Sequence, residues 1–96
     1  METDGELFHH FRTAGVMMTI QEQDAFRDYL GTIEDELLEA VTADYIWLAA
    51  QYEAEPPESR FHWRRGACRE ECARRGKLRL WRRAERAVST PLTQVE

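Results

Sequence analysis

The sequence predicts an all-α protein, a compact bundle of three to four helices at about 20–30, 33–54, 58–75 and 77–88 with short connections. Three observations predict it. Apolar residues recur at spacings of three and four along most of 20–88. Helix start and stop residues punctuate those runs at Thr19, Pro56-Pro57 and Gly76. No segment sustains period-two alternation, and no Asn-Gly or Asp-Gly turn joins two such segments into a hairpin.

Thr19-Ile20-Gln21-Glu22 has the capping-box pattern, with Thr19 as N-cap and Glu22 reaching back. In the helix that follows, Ala25, Phe26, Tyr29, Leu30 and Ile33 fall on one face. Gly31-Thr32 supplies a stop and a new N-cap, and Glu34, Asp35 and Glu36 then occupy a first turn where the helix dipole favours anions. A single helix from about 20 to 54 is the alternative, because the stripe Phe26, Leu30, Ile33, Leu37, Val41, Leu48, Tyr52 keeps phase across Gly31.

The centre of the second helix, Tyr45 to Ala50, is apolar on every side. That pattern predicts burial all round, with Trp47 in the core, as a central helix or an oligomer interface. Pro56-Pro57 ends this helix, and Pro57 suits the first turn of the next. In 58–75, Phe61, Cys68 and Cys72 share a narrow apolar face while Trp63 and Ala67 lie nearly opposite, so this helix should be touched on two sides. Gly76 is a C-terminal cap. In 77–88, Leu78, Leu80, Trp81, Ala84, Ala87 and Val88 share one half of the wheel, and Arg79, Arg82, Arg83 and Arg86 fill a sector opposite. The division expected is a loosely ordered arm over 1–18, one helical domain over 19–88 and a flexible tail over 89–96.

Charge is segregated along the chain. Residues 1–58 hold fourteen carboxylates against two cations, and residues 59–96 hold eleven cations against four carboxylates, giving −12 and +7 within the total of −5. Like charges this dense repel, so each half requires an opposite partner, and the nearest partner is the other half. Arg79/Arg83, Arg82/Arg86, Arg60/Arg64 and Arg65/Arg69 are like-charge pairs one turn apart, as are Asp24/Asp28 and Asp35/Glu39. Each is unfavourable by about 0.2–0.5 kcal/mol on an isolated helix. Glu70 to Arg74 and Glu71 to Arg75 offset them in part.

At 96 residues the chain makes one domain with one modest core. Its longest uninterrupted apolar run is Tyr45–Ala50, far short of a bilayer span, and its opening Met-Glu-Thr-Asp lacks a secretory pattern. Two cysteines, Cys68 and Cys72, are too few for a disulfide framework and read as reduced apolar thiols. A soluble cytoplasmic protein without membrane partners is expected.

No Gly-rich phosphate loop, Gly-x-Ser-x-Gly or His-Glu-x-x-His is present, so no catalytic residue, cofactor or metal is assigned. A zinc site from His62, Cys68 and Cys72 with His9 or His10 would have one close-spaced ligand pair where two are usual. The expected function is a non-enzymatic protein–protein interaction module, a subunit, adaptor or inhibitor, using Trp/Arg and acidic faces. Trp63, Arg79, Arg82, Arg83 and Arg86 are its candidate partner-binding residues, since Trp and Arg dominate interface hot spots. Self-association through 33–54 is one form of this. The alternative is nucleic-acid or ribonucleoprotein binding through the Arg-rich C-terminal helices, against which stand a pI of about 5.2 and the acidic half.

Overall fold

The computed structural model describes residues 17–89, and these form four helices: α1 (Ile20–Thr32), α2 (Asp35–Gln51), α3 (Arg60–Arg74) and α4 (Leu78–Ser89). The expected all-α bundle is the fold. The proposed arm residues 1–16, with His9 and His10, and the tail 90–96 lie outside the described residues. Met17 and Met18, assigned to the arm from sequence, belong to the fold: Met18 is buried, and Met17 forms an isolated antiparallel bridge with Ser59.

The capping box starts α1 as expected. The Thr19 N–H donates to Glu22 Oε1 at 2.8 Å, and the Glu22 N–H donates to Thr19 Oγ1 at 3.1 Å. Gly31 does not stop the helix, and Thr32 is not the next N-cap. The chain remains helical to Thr32, turns extended at Ile33 (φ −94°, ψ 156°) and restarts behind Glu34. The Thr32 hydroxyl instead donates back to Tyr29 O at 2.8 Å. The stop is capped by a residue distant in sequence: Arg75 Nη2 donates to Leu30 O (2.7 Å) and Ile33 O (2.8 Å), taking carbonyls that the helix end leaves open. The break also excludes the single helix over 20–54.

α2 ends at Gln51, three residues before the expected end. The Tyr52 N–H donates to Ala49 O at 3.2 Å, and Tyr52 O receives His62 Nε2 at 2.9 Å. The ring of Tyr52 packs on Phe61, with centroids 5.1 Å apart. Pro57 lies in the turn rather than in α3, which starts at Arg60 behind the buried Ser59. α3 closes on a Schellman cap: the Lys77 N–H reaches Cys72 O (2.8 Å) and the Gly76 N–H reaches Ala73 O (2.9 Å). Gly76 sits at φ +71°, a backbone state that only glycine enters freely.

α2, α3 and α4 pack against one another, and α1 lays its backbone along α3 rather than along α2. Leu30, Leu38, Ala67, Cys68, Cys72 and Leu80 form the buried centre. As expected, α3 is touched on both sides: the thiols face the core, while Trp63 meets Phe26 of α1 at 6.1 Å between centroids. Phe26 also meets the Tyr45 ring edge-on at 5.4 Å, the main bridge from α1 to α2. Among the described residues no helix is long and apolar enough to cross a membrane.

Burial of α2 on all sides is not observed. Leu38, Thr42 and Ala49 point inward, but Trp47 is 53% exposed and Leu37 46% exposed. The physical reason is that four short helices offer α2 too few neighbours. α3 and α4 cover one side, and α1, which could have covered another, is drawn to α3.

Candidate functional site

Placement of the charged halves comes first. Asp35, at the first turn of α2, accepts from Arg75 Nη1 at 2.8 Å and from Lys77 Nζ. Glu71 accepts from Arg75 Nε at 2.8 Å and from Arg74 Nε at 2.9 Å. Arg74 therefore turns to Glu71 and not to Glu70, the partner expected from helix spacing. Lys77 first, then Arg75, hold the Asp35 carboxyl below its usual range, and Arg74 does the same for the buried Glu71. Further along, Arg83 Nη2 lies 3.3 Å from Glu39 Oε1. The acidic and basic halves thus meet along the α2–α3–α4 side of one protomer.

What remains is two surfaces of opposite character. The first is a trough of about 440 Å³ between α1 and α2, lined by Tyr29, Val41, Asp44, Tyr45, Trp47 and Leu48. Its aromatic rim is open, with Tyr29 44% exposed opposite Trp47. Leu37, one turn before Val41, extends it. Asp44 is exposed and makes no ion pair among the described residues. The second surface is the outer face of α4, where Arg79, Arg82, Arg83 and Arg86 are all exposed. Arg83 is drawn to Glu39, whereas Arg79 and Arg82 form no ion pair among the described residues.

Trp63 is not on either surface. It is half-buried between α3 and α1, with the Arg27 guanidinium 4.9 Å above its ring. Arg64 covers Phe26 (5.5 Å) and Tyr45 (5.6 Å) in the same way, so cations of both halves are used as lids on aromatic rings. The sequence places Trp47 in the core and Trp63 on a second contacted face of α3; Trp47 is instead half-exposed, and Trp63 is half-buried against α1. Leu37, Val41 and Leu48 are legible as an apolar stripe, but Trp47 lies outside it and no spacing marks it as exposed.

Cys68 and Cys72 are buried and unbridged. Burial pushes the Cys68 thiol up to about 12 and raises Cys72 as well, against a weak pull from the Thr42 hydroxyl. A neutral, enclosed thiol is a poor nucleophile. His62 directs Nε2 at Tyr52 O, away from the thiols, and among the described residues no three His, Cys, Asp or Glu side chains group as metal ligands.

Comparison with family models, with curated proteins and with solved structures finds no match to this chain.

Proposed function

We propose that this chain is a non-enzymatic protein–protein interaction module, acting in the cytoplasm as a subunit, adaptor or inhibitor, and that its working surface is the α1–α2 trough. One observation carries the reading: a half-exposed tryptophan, Trp47, and a half-exposed tyrosine, Tyr29, line one open, mainly apolar trough. Complete burial of an apolar side chain is worth about 1.5–3 kcal/mol, and roughly half of that is forgone at each of these half-exposed rings. Contiguous apolar surface with a polar rim is the usual mark of a protein-binding site, and buried Trp and Tyr are the usual anchors there. The neutral, enclosed thiols support a binding role over a catalytic one.

The test is differential capture from the native host with three baits: the unaltered chain, Trp47→Ala and Arg82→Glu. A partner retained by the first and third but lost by the second supports the reading. Retention indifferent to Trp47 contradicts it.

The exposed Arg79 and Arg82 favour a second reading, contact with a polyanion such as a nucleic acid. A gel-shift series in rising salt tests it. Steeply salt-dependent retention lost in an Arg79→Glu, Arg82→Glu variant supports it, and no retention at low salt removes it.

A further inference from the structure

We propose, resting on the interaction reading above, that the α1–α2 trough receives a cationic amphipathic helix of a partner protein, with a Lys or Arg of that helix set against Asp44. The spacing of the open side of α2 suits a helix. Leu37, Val41, Asp44, Leu48 and Gln51 recur at alternating steps of three and four, the seam over which two helices pack side by side. Tyr29 of α1 forms the opposite wall, so the seam lies in a channel rather than on a ridge. Helix-in-groove recognition uses this arrangement, with apolar anchors one turn apart.

The charge around the seam selects the occupant. α2 contains no Lys or Arg. Its Asp35 and Glu39 are already taken by Arg75, Lys77 and Arg83, which leaves Glu36 and Asp44 exposed and without an ion-pair partner among the described residues. The one cation of α1, Arg27, is turned to Trp63 and lies 3.8 Å from Asp24. Arg64 of α3 is engaged over the Phe26 and Tyr45 rings, so the trough presents an apolar floor with one unpaired carboxylate, Asp44, in its lining, the complement of an apolar stripe carrying a cation.

A second copy of this chain fits poorly. Asp44 is the midpoint of the seam from Leu37 to Gln51, so the antiparallel twofold pairing that uses the whole seam sets Asp44 against Asp44. Two carboxylates desolvated together repel. A cation from a different chain converts the same position into the contact that fixes register.

The test uses the full chain and three fluorescent helical peptides read by anisotropy: a Leu seam flanked by Lys, the same seam flanked by Glu, and the Lys peptide with every Leu replaced by Ser. The Leu/Lys peptide should bind, and Asp44→Lys and Trp47→Ala should each weaken it by about tenfold or more. Asp44→Asn should give a smaller loss, and circular dichroism should show all three variants folded. Equal binding of the Glu-flanked peptide would overturn the cationic partner while leaving the interaction reading intact. Equal binding of the Ser peptide would reduce the effect to bulk charge and overturn the seam. A Trp47-dependent dimer in sedimentation, with no peptide bound, would make the occupant a second copy. No peptide bound, with Trp47-dependent capture from the host, would overturn the helix alone. No Trp47 dependence in any assay would end both readings.

Discussion

Arg75 holds Asp35 across forty residues of chain, with Nη1 2.8 Å from Oδ1, and in doing so fixes the bend between α1 and α2. The same guanidinium donates to Leu30 O, Ile33 O and Glu71, so one mostly buried side chain serves two carboxylates and two backbone carbonyls. A planar fork of donors suits this geometry and an ammonium does not.

Arg75→Ala should therefore destabilise the fold by about 1–3 kcal/mol, since it takes the side-chain donor from Leu30 O and Ile33 O and one of two cations from each of Asp35 and Glu71. Arg75→Lys should recover only part of the loss. Urea unfolding followed by circular dichroism measures both. A loss no larger than that of an exposed arginine such as Arg82 would contradict the assignment.

Acid should act through the same pair. The carboxyls of Asp35 and Glu71 titrate below their ordinary range because cations face them in the fold. Their contribution is complete above the unfolded carboxylate values of about 4 and is lost as pH falls through the lowered folded values. The urea midpoint should drop between about pH 5 and pH 3, and a Lys77→Ala, Arg74→Ala double variant, which removes the foremost cation from each carboxyl, should flatten that dependence. An equal slope in the variant would place the acid sensitivity elsewhere.

The two face arginines of α4 should separate. Arg83→Glu loses the Glu39 contact and sets like charges together, costing up to about 1 kcal/mol. Arg82→Glu removes no ion pair among the described residues and should leave the melting temperature nearly unchanged. Equal shifts would mean that general repulsion, not the Glu39 contact, governs this face.

Much of the fold is legible in local residues. Thr19 and Glu22 mark a start, Gly76 marks a stop, and the spacing of Cys68 and Cys72 against Trp63 and Ala67 shows that α3 has two packed sides. Each of these depends on neighbours within one or two turns. The stop of α1 depends on Arg75, which no local rule connects to Leu30. The burial of Trp47 is misread for a related reason. An all-apolar centre says that α2 can be buried on every side, but whether enough helices surround it is a property of how α1 docks. Trp47 lost that cover when α1 settled on α3, and Trp63 gained it.

The thiols give a further check. Enclosed and raised above their ordinary range, Cys68 and Cys72 should react with a disulfide reagent at pH 8 only as the protein unfolds, and then together. Because unfolding frees them to ionise, stability should fall as pH rises past about 8.5. Fast reaction of one thiol in the native protein would contradict their enclosure.

The central claim is that Asp35 and Glu39 take Arg75, Lys77 and Arg83 on one side of α2 and that its other side is left for a partner. Indole N–H resonances of Trp47, Trp63 and Trp81, assigned with single Trp→Phe variants, test it in one titration with the Lys-flanked Leu-seam peptide. The account predicts that the Trp47 signal moves, along with the amides of Tyr29, Val41 and Asp44, while Trp63 and Trp81 stay fixed. A titration that moves Trp81 and the amides of Arg79 and Arg82 instead, with Trp47 unmoved, would contradict it.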